Sequence, residues 1–208
     1  MALVKYNNNS ISAVTSAASI PSGALTHIKT LTASSSSTLS FVNGSSDVVL
    51  DGTYPIYLFK FIDIDQTSGA YINFLFNGST DSGSNYNVTK TSSAFRASHT
   101  ENGASSQLAY QGSQDLAQST AFQEIAHEIG QGADECASGE LFIFNPSSTT
   151  FVKHYISTLN AYQADDQSMI YYIGGYMNTT SAVNAFQFKM SSGNINAGKI
   201  KLYGIKDS

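Results

Sequence analysis

The residues most suggestive of catalysis stand at His127–Gln131, which read His-Glu-Ile-Gly-Gln. This order matches the first half of the pattern His-Glu-x-x-His, in which two histidines one helical turn apart hold a zinc ion. Gln131 occupies the position of the second histidine, and without that histidine the pattern fails. We therefore interpret His127 and Glu128 as polar residues on the solvated face of a helix, and we expect neither a metal nor a cofactor.

Acidic side chains around a Gly- and Ala-rich turn form a second candidate site. Asp134, Glu135 and Glu140 offer the carboxylate oxygens that Ca²⁺ prefers. Their spacing fits no EF-hand loop, so we expect solvated turn residues, although the sequence leaves calcium binding open. Cys136 lies among them and, as the one cysteine of the chain, can form no intrachain disulfide. Nearby carboxylates disfavour a thiolate, so we interpret Cys136 as structural rather than nucleophilic.

Tyrosines supply the third candidate, a binding site for carbohydrate. Tyr171, Tyr172 and Tyr176, together with Asn178, could present ring faces and an amide at the end of a β-domain. The chain has no tryptophan, which is the strongest stacking platform for a sugar ring. Roles in the core or at a protein interface are therefore the favoured interpretation, with a glycan as the alternative ligand.

No other pattern in the chain predicts an enzyme. The sequence contains no Gly-x-Ser-x-Gly elbow, no phosphate-binding glycine loop and no dinucleotide fingerprint. Its four histidines are far apart along the chain: His27, His99, His127 and His154. A polysaccharide-cleaving enzyme would need two carboxyl groups at a fixed separation, and nothing in the sequence predicts such a pair. We expect no catalytic residues.

Composition favours an all-β protein over a helical enzyme. Charged residues make up 12% of the 208 residues, about half of the usual share. The net charge is −5 and the basic residues are scattered singly, so we expect no nucleic-acid partner and no membrane partner. Met1–Asn9 lacks the apolar core of a signal peptide, and no run reaches transmembrane length. We therefore expect synthesis in a cytoplasm.

The most apolar stretch, Tyr54–Ile64, predicts the central strand of the fold. It is rich in aromatic and β-branched residues and carries large apolar groups on both faces, as is typical of a strand covered on two sides. Roughly ten to twelve strand-like segments separated by turn residues predict an antiparallel, jelly-roll-like β-sandwich. We expect Asn77-Gly78 to end one of these strands.

One segment departs from the strand pattern and predicts a short helix around residues 118–129. A pair with capping-box spacing, Thr120 and Gln123, stands near its start, and glycines follow it at positions 130 and 132. Its apolar residues have the i, i+3, i+4, i+7 spacing of one helical face: Phe122, Ile125, Ala126 and Ile129. We expect this helix to lie across an open end of the sandwich.

The first part of the chain, residues 1–24, is rich in Asn, Ser and Ala and has no clear period. We interpret it as an extended arm in front of a single β-sandwich domain over residues 25–208. Isolated apolar residues along the arm favour docking on another surface: Leu3, Val4, Tyr6 and Ile11. A flexible terminus is the alternative interpretation.

The C-terminal third carries a resemblance to known proteins. Three segments bear it: Ser138–Pro146 (SGELFIFNP), Gly174-Gly175-Tyr176, and Ser191–Lys206, which ends in GKIKLYGIK. They resemble a group of β-sandwich virion proteins of tailed phages, especially phages of marine bacteria. The resemblance implies a domain on the particle surface, used as a capsid decoration, a head fibre or a tail-fibre domain. It implies no catalytic residues.

These observations together predict a function. A tail fibre normally has a long shaft, whereas only about 24 residues precede the β-domain here, so an accessory protein of the capsid or tail fits better. We predict a non-enzymatic structural protein on the surface of a tailed-phage virion, in the first place a capsid decoration protein anchored by its arm. Its partners would be other virion proteins and further copies of itself, for example in a trimer. The alternative is a receptor- or carbohydrate-binding module of the same virion.

Overall fold

The computed structural model describes residues 24–207, and every regular element in this range is a β-strand. Twelve strands follow one another along the chain: β1 (Leu25–Thr32), β2 (Leu39–Val42), β3 (Ile56–Ile64), β4 (Ile72–Ser79), β5 (Lys90–Thr100), β6 (Ser106–Tyr110), β7 (Gln123–Ile129), β8 (Ala137–Phe144), β9 (Lys153–Gln163), β10 (Gln167–Met177), β11 (Ala185–Met190) and β12 (Lys199–Ile205). All of their pairings are antiparallel. The predicted all-β, antiparallel class is confirmed.

The twelve strands belong to one sheet that curls nearly closed on itself. Eight strands pair in the order β1-β12-β3-β8-β9-β10-β5-β6, and four pair in the order β7-β4-β11-β2. The eight-strand run and the four-strand run meet where Ile129 of β7 pairs with Gln163 of β9. Because this pair makes the sheet continuous, the two separate sheets of a sandwich or jelly roll are not confirmed.

An aromatic cluster fills the space between the two runs. Phe188 of β11, which is fully buried, lies at its centre. Its ring contacts five others from β2, β3 and β4: Phe41, Phe59, Phe61, Phe74 and Phe76. Each such pair contributes about 0.5–1.5 kcal/mol beyond the burial of its area. The cluster therefore holds the four-strand run against the eight-strand run.

The predicted central strand is β3, which lies between β12 and β8. Its inward side chains are all buried: Phe59 and Phe61 lie in the aromatic cluster, and the ring of Tyr57 packs against Tyr54. On the outward face Leu58 is also buried, between cross-strand neighbours from β8 and β12. Lys60 stays exposed on that face and forms a salt bridge of 3.1 Å with Glu140 of β8. The outward cover of β3 is therefore partial.

The helix expected around residues 118–129 is wrong, because this segment contains the strand β7. Two register shifts interrupt its pairing with β4, and each inserts one extra residue into β7. At the second shift Glu128 has a φ of 54° and donates its N–H to Asn73 Oδ1 at 2.9 Å. Each inserted residue moves the following side chains to the other face. The bulged strand thus buries residues at helical spacing: Ile125, Ala126 and Ile129.

The arm predicted over residues 1–24 lies outside the described residues, apart from Ala24. The proposed anchoring residues lie outside them as well: Leu3, Val4, Tyr6 and Ile11. The chain enters the sheet at Leu25, which pairs with Ile205 of β12. The first and last strands of the described chain are therefore neighbours.

Candidate functional site

The outward face of the eight-strand run carries a group of exposed apolar side chains. Strand register places Tyr110 of β6, Phe95 of β5 and Tyr172 of β10 in one row across the face. Ile156 of β9 and Gly174 of β10 pair in the adjacent row. Tyr110 is 61% exposed, Ile156 52% and Phe95 44%. We call these five residues the outer-face patch. Clustered exposure of this kind marks an interaction surface, whereas scattered apolar residues do not.

The rings of Phe95 and Tyr172 overlap within this patch. Their centroids lie 4.8 Å apart and their planes are 14° from parallel. At this centroid separation the two nearly parallel rings cannot lie side by side in one plane. They are therefore stacked with a lateral offset, and each covers part of one face of the other. A sugar ring stacks on an open and flat aromatic face. The paired rings therefore suit the side chains of a protein partner better than a sugar.

Gly174 forms the floor of a shallow depression beside the stacked rings. The depression has a volume of about 270 Å³ and is also lined by Ser93, Phe95, Ile156 and Tyr172. A Cβ atom added to Gly174 would meet no heavy atom within 4 Å. The glycine is therefore not required by packing, and its lack of a side chain leaves space for a group from a partner.

The residues predicted to bind carbohydrate do not converge on one site. Tyr171 is 1% exposed and faces the interior, and burial raises the pKa of its hydroxyl to about 12. We therefore exclude it as a stacking platform. Tyr172 and Tyr176 lie on the outward face, four residues apart, and Tyr176 is next to His154. Asn178 follows β10 and donates its side-chain amide to Gln118 at 2.7 Å. Alternation along β10 separates neighbouring tyrosines that the sequence groups together.

Hydrogen-bonding side chains border the patch toward the turn between β9 and β10. Asn160 donates to Ser168 Oγ at 2.9 Å, and both residues line a second depression with His99, Glu101 and Tyr162. A hydrogen bond to Glu101 raises the pKa of the Tyr162 hydroxyl to about 12. An apolar centre beside a polar rim is the arrangement found in many protein–protein interfaces.

His127 belongs to a partly buried network rather than to a solvated helix face, which corrects the prediction. Its Nδ1 contacts Glu124, and its Nε2 lies 3.2 Å from Oε1 of Glu128. Glu128 also accepts a hydrogen bond of 2.7 Å from Nε2 of Gln163. Because carboxylates engage both ring nitrogens, the network fastens β7 to β9 and leaves neither nitrogen open to a substrate. In residues 24–207 no group of three or more His, Cys, Asp or Glu residues is arranged to hold a metal ion.

The acidic turn keeps its charges at the surface. Glu135 folds back onto the N–H of Gly132, whereas Glu140 pairs with Lys60 on the outward face, so these two acids do not act together. Burial raises the pKa of the Cys136 thiol, and the carboxylates of Asp63, Asp65 and Asp134 raise it further. A raised pKa disfavours the thiolate, which agrees with a cysteine that is not nucleophilic.

Two buried lysines were missed by the sequence reasoning. Lys90 is fully buried and donates to Asn77 Oδ1 at 2.5 Å and to the carbonyl of Val88 at 2.8 Å. Burial lowers its pKa to about 7. Lys153 donates to the carbonyls of Phe151 and Thr179 at 3.0 and 2.9 Å. Both ammonium groups tie loops together through neutral acceptors. No sequence signal distinguishes them from surface lysines.

Comparisons with known proteins identify no relative. No family model, no curated protein and no solved structure matches the chain. In the described part of the chain, no helix is long and apolar enough to cross a membrane.

Proposed function

We propose that this chain is a non-enzymatic structural protein of a tailed-phage virion that docks other virion proteins through its outer-face patch. The observation that carries the proposal is the cluster of Phe95, Tyr110, Ile156 and Tyr172 on one exposed sheet face. Interface cores are enriched in such aromatic residues and depleted of charge. The phage assignment is supported by the sequence resemblance of residues 138–206.

Each part of the chain has a role in this assembly. The arm over residues 1–24 anchors the protein on the particle, and the capsid is the location we favour over the tail. The two strand runs act as the two layers of a sandwich-like shell, and the patch lies on the outward side of one layer. Copies associate symmetrically at the virion surface, since symmetric association is the rule for proteins of repeated assemblies.

The second candidate is a module that binds a receptor or a host-surface glycan. The observation that favours it is the depression at Gly174, where the hydroxyl-bearing residue Ser93 lies beside the aromatic rings of Phe95 and Tyr172. The stacking of Phe95 on Tyr172 leaves less open ring face than sugar binding uses, so we rank this function below protein docking.

The test is incorporation of the protein into virions that lack their own copy. We expect the double variant Phe95→Ser/Tyr172→Ser to lose most of its occupancy, because it removes the stacked pair without charging the surface. Phe151→Ser is the matched control, since Phe151 is 71% exposed but stands in the loop before β9. Deletion of residues 2–20 tests the arm separately, and unchanged occupancy would refute its anchoring role.

A parallel measurement separates the two functions. If the patch docks proteins, the double variant and the wild type should give the same binding signal on an array of bacterial surface glycans. Glycan binding by the wild type that the double variant loses, combined with normal occupancy in virions, would replace the first function by the second.

A further inference from the structure

The eight-strand run ends in an unprotected edge strand, β6. Among residues 24–207, β6 pairs only with β5. Its sequence, Ser-Gln-Leu-Ala-Tyr, contains no charge and no proline, and its register with β5 has no bulge. Charges, prolines and bulges are the usual means by which an edge strand avoids pairing with another chain. The opposite edge of the same run shows two of them, because β1 contains Lys29 and a register shift after His27.

The backbone groups on this edge can be assigned from the hydrogen bonds to β5. Gln111 donates its N–H to Ala94 at 2.8 Å, and Thr100 donates to the carbonyl of Ser105 at 3.0 Å. Hydrogen-bonded residues alternate along an antiparallel pair, so residues 107 and 109 also face β5. The N–H and C=O groups of residues 106, 108 and 110 therefore point to the open edge. Only the Tyr110 carbonyl has a side-chain donor there, from Gln111 at 3.2 Å.

We propose that β6 pairs with β6 of a second copy, antiparallel and about a two-fold axis at Leu108. In this register residue 108 faces residue 108 of the second copy, and residue 106 faces residue 110. Every outward donor of the five-residue strand then meets an outward acceptor, so the strand is complementary to itself. The pairing is isologous, as expected for a two-fold dimer. It continues the eight-strand run across the axis.

Side chains support the same partner. Leu108 is 74% exposed and Tyr110 61%, and both lie on the outward face beside residues of β5. Two-fold pairing places the two Leu108 side chains opposite each other and gives each a covered apolar surface. It also joins the outer-face patches of the two copies. No like charges meet along the paired strands, since β6 carries none.

The inference concerns a second copy of this chain and does not depend on the virion assignment. It yields a dimer in place of the trimer suggested by the sequence. One pair of five-residue strands is smaller than a standard stable interface, so we expect dissociation in the micromolar to millimolar range. High local concentration on a particle surface would make such a contact effective.

Sedimentation equilibrium over a concentration series up to about 1 mM tests the inference. We expect the wild type to form dimers, and Leu108→Lys to weaken the dimer by roughly tenfold or more, because it places two ammonium groups opposite each other. Phe151→Lys is the control and should dimerise like the wild type, since Phe151 is equally exposed but lies off the edge. Circular dichroism checks that each variant keeps its strands. A monomeric wild type, or an oligomer that Leu108→Lys leaves unchanged, would overturn the inference.

Cross-linking tests the register itself in a Cys136→Ser background. Paired residues at the axis stand at a Cα separation of about 5.5 Å, which a disulfide can bridge. We expect Leu108→Cys to form a covalent dimer on mild oxidation. Gln107→Cys should not, because in this register residue 107 pairs with residue 109 of the second copy, on the opposite face of the sheet near Arg96. Equal cross-linking by both variants would reject the proposed axis.

Discussion

At the scale of single residues, the buried Lys90 should dominate the pH dependence of stability between its folded and unfolded pKa values, about 7 and 10.5. Burial lowers its pKa from 10.5 to about 7 in the folded chain. Between these values the unfolded chain holds a proton that the folded chain lacks, so the free energy of unfolding rises with pH across this window. One full proton corresponds to about 1.4 kcal/mol per pH unit. We expect a rise of about 2 kcal/mol between pH 7 and 9 in urea unfolding.

A variant that lacks the charge of Lys90 should lose most of this dependence of the unfolding free energy on pH. Lys90→Met keeps the side-chain length but cannot titrate, so its unfolding free energy should change little over the same pH range. Lys153, whose pKa burial also lowers, accounts for the slope that remains. Lys199→Met removes an exposed lysine and is the matched control. Parallel pH profiles for wild type and Lys90→Met would contradict the prediction.

Residue-scale features were the least predictable from sequence. Tyr171 and Tyr172 are adjacent and chemically identical, yet one faces the interior and the other the outward face. Which of two alternating apolar positions is covered depends on the strands that pair around them, and a local pattern does not contain that information. The outer-face patch draws on β5, β6, β9 and β10, so no contiguous motif could reveal it. The burial of Lys90 could not be predicted for the same reason.

At the scale of elements, two glycines on the neighbours of β9 should differ in how an alanine substitution changes stability: Gly139 on β8 and Gly174 on β10. A Cβ at Gly139 would collide with the Thr158 carbonyl and lie 2.6 Å from Cα of Leu159, both of them backbone atoms of β9. Gly139→Ala should therefore destabilise the protein by about 1–3 kcal/mol or more. Gly174→Ala meets open space and should be neutral or stabilise by about 0.5–1 kcal/mol.

The two alanine variants are compared by urea unfolding under the same conditions. If Gly139→Ala and Gly174→Ala had similar unfolding midpoints, β8 and β9 would have to move apart enough to accept the new Cβ at position 139. That result would contradict the prediction made from the close approach of the two backbones. Gly174→Ala also fills part of the depression in the outer-face patch, so it separates stability from docking. Lower occupancy in virions at unchanged stability would link the depression to the partner.

Elements with a clean pattern were predictable, and those with local irregularity were not. The aromatic and β-branched run of β3 identified a strand that the structure confirms. For β7, two bulges imitated the spacing of a helix. Asn77-Gly78, a strong turn signal, lies within β4 instead. There the Asn77 amide donates to the carbonyls of Tyr86 and Thr120, and a Cβ at Gly78 would lie 2.8 Å from Val183. Tertiary contacts outweighed local preference in both cases.

At the scale of the whole molecule, the continuous sheet connects all twelve strands, so the described chain should unfold as one unit. The four-strand run shares its core with the eight-strand run through Phe188 and is joined to it at Ile129 and Gln163. Neither run keeps a covered apolar face if the other leaves. Strand number and antiparallel pairing were predictable from sequence, whereas this continuity depends on a single long-range pair and was not.

Removing the central ring should therefore destabilise both runs together. Phe188→Ala leaves a cavity among five aromatic rings, and we expect it to lower the free energy of unfolding by about 3–5 kcal/mol. Far-ultraviolet circular dichroism reports the strands, and the near-ultraviolet signal of tyrosines such as Tyr57 and Tyr155 reports packing on β3 and β9. The two signals should change at one shared urea concentration in the wild type, and at one lower concentration in Phe188→Ala. Two separated transitions in either protein would show that the runs unfold independently, despite the pair that joins them.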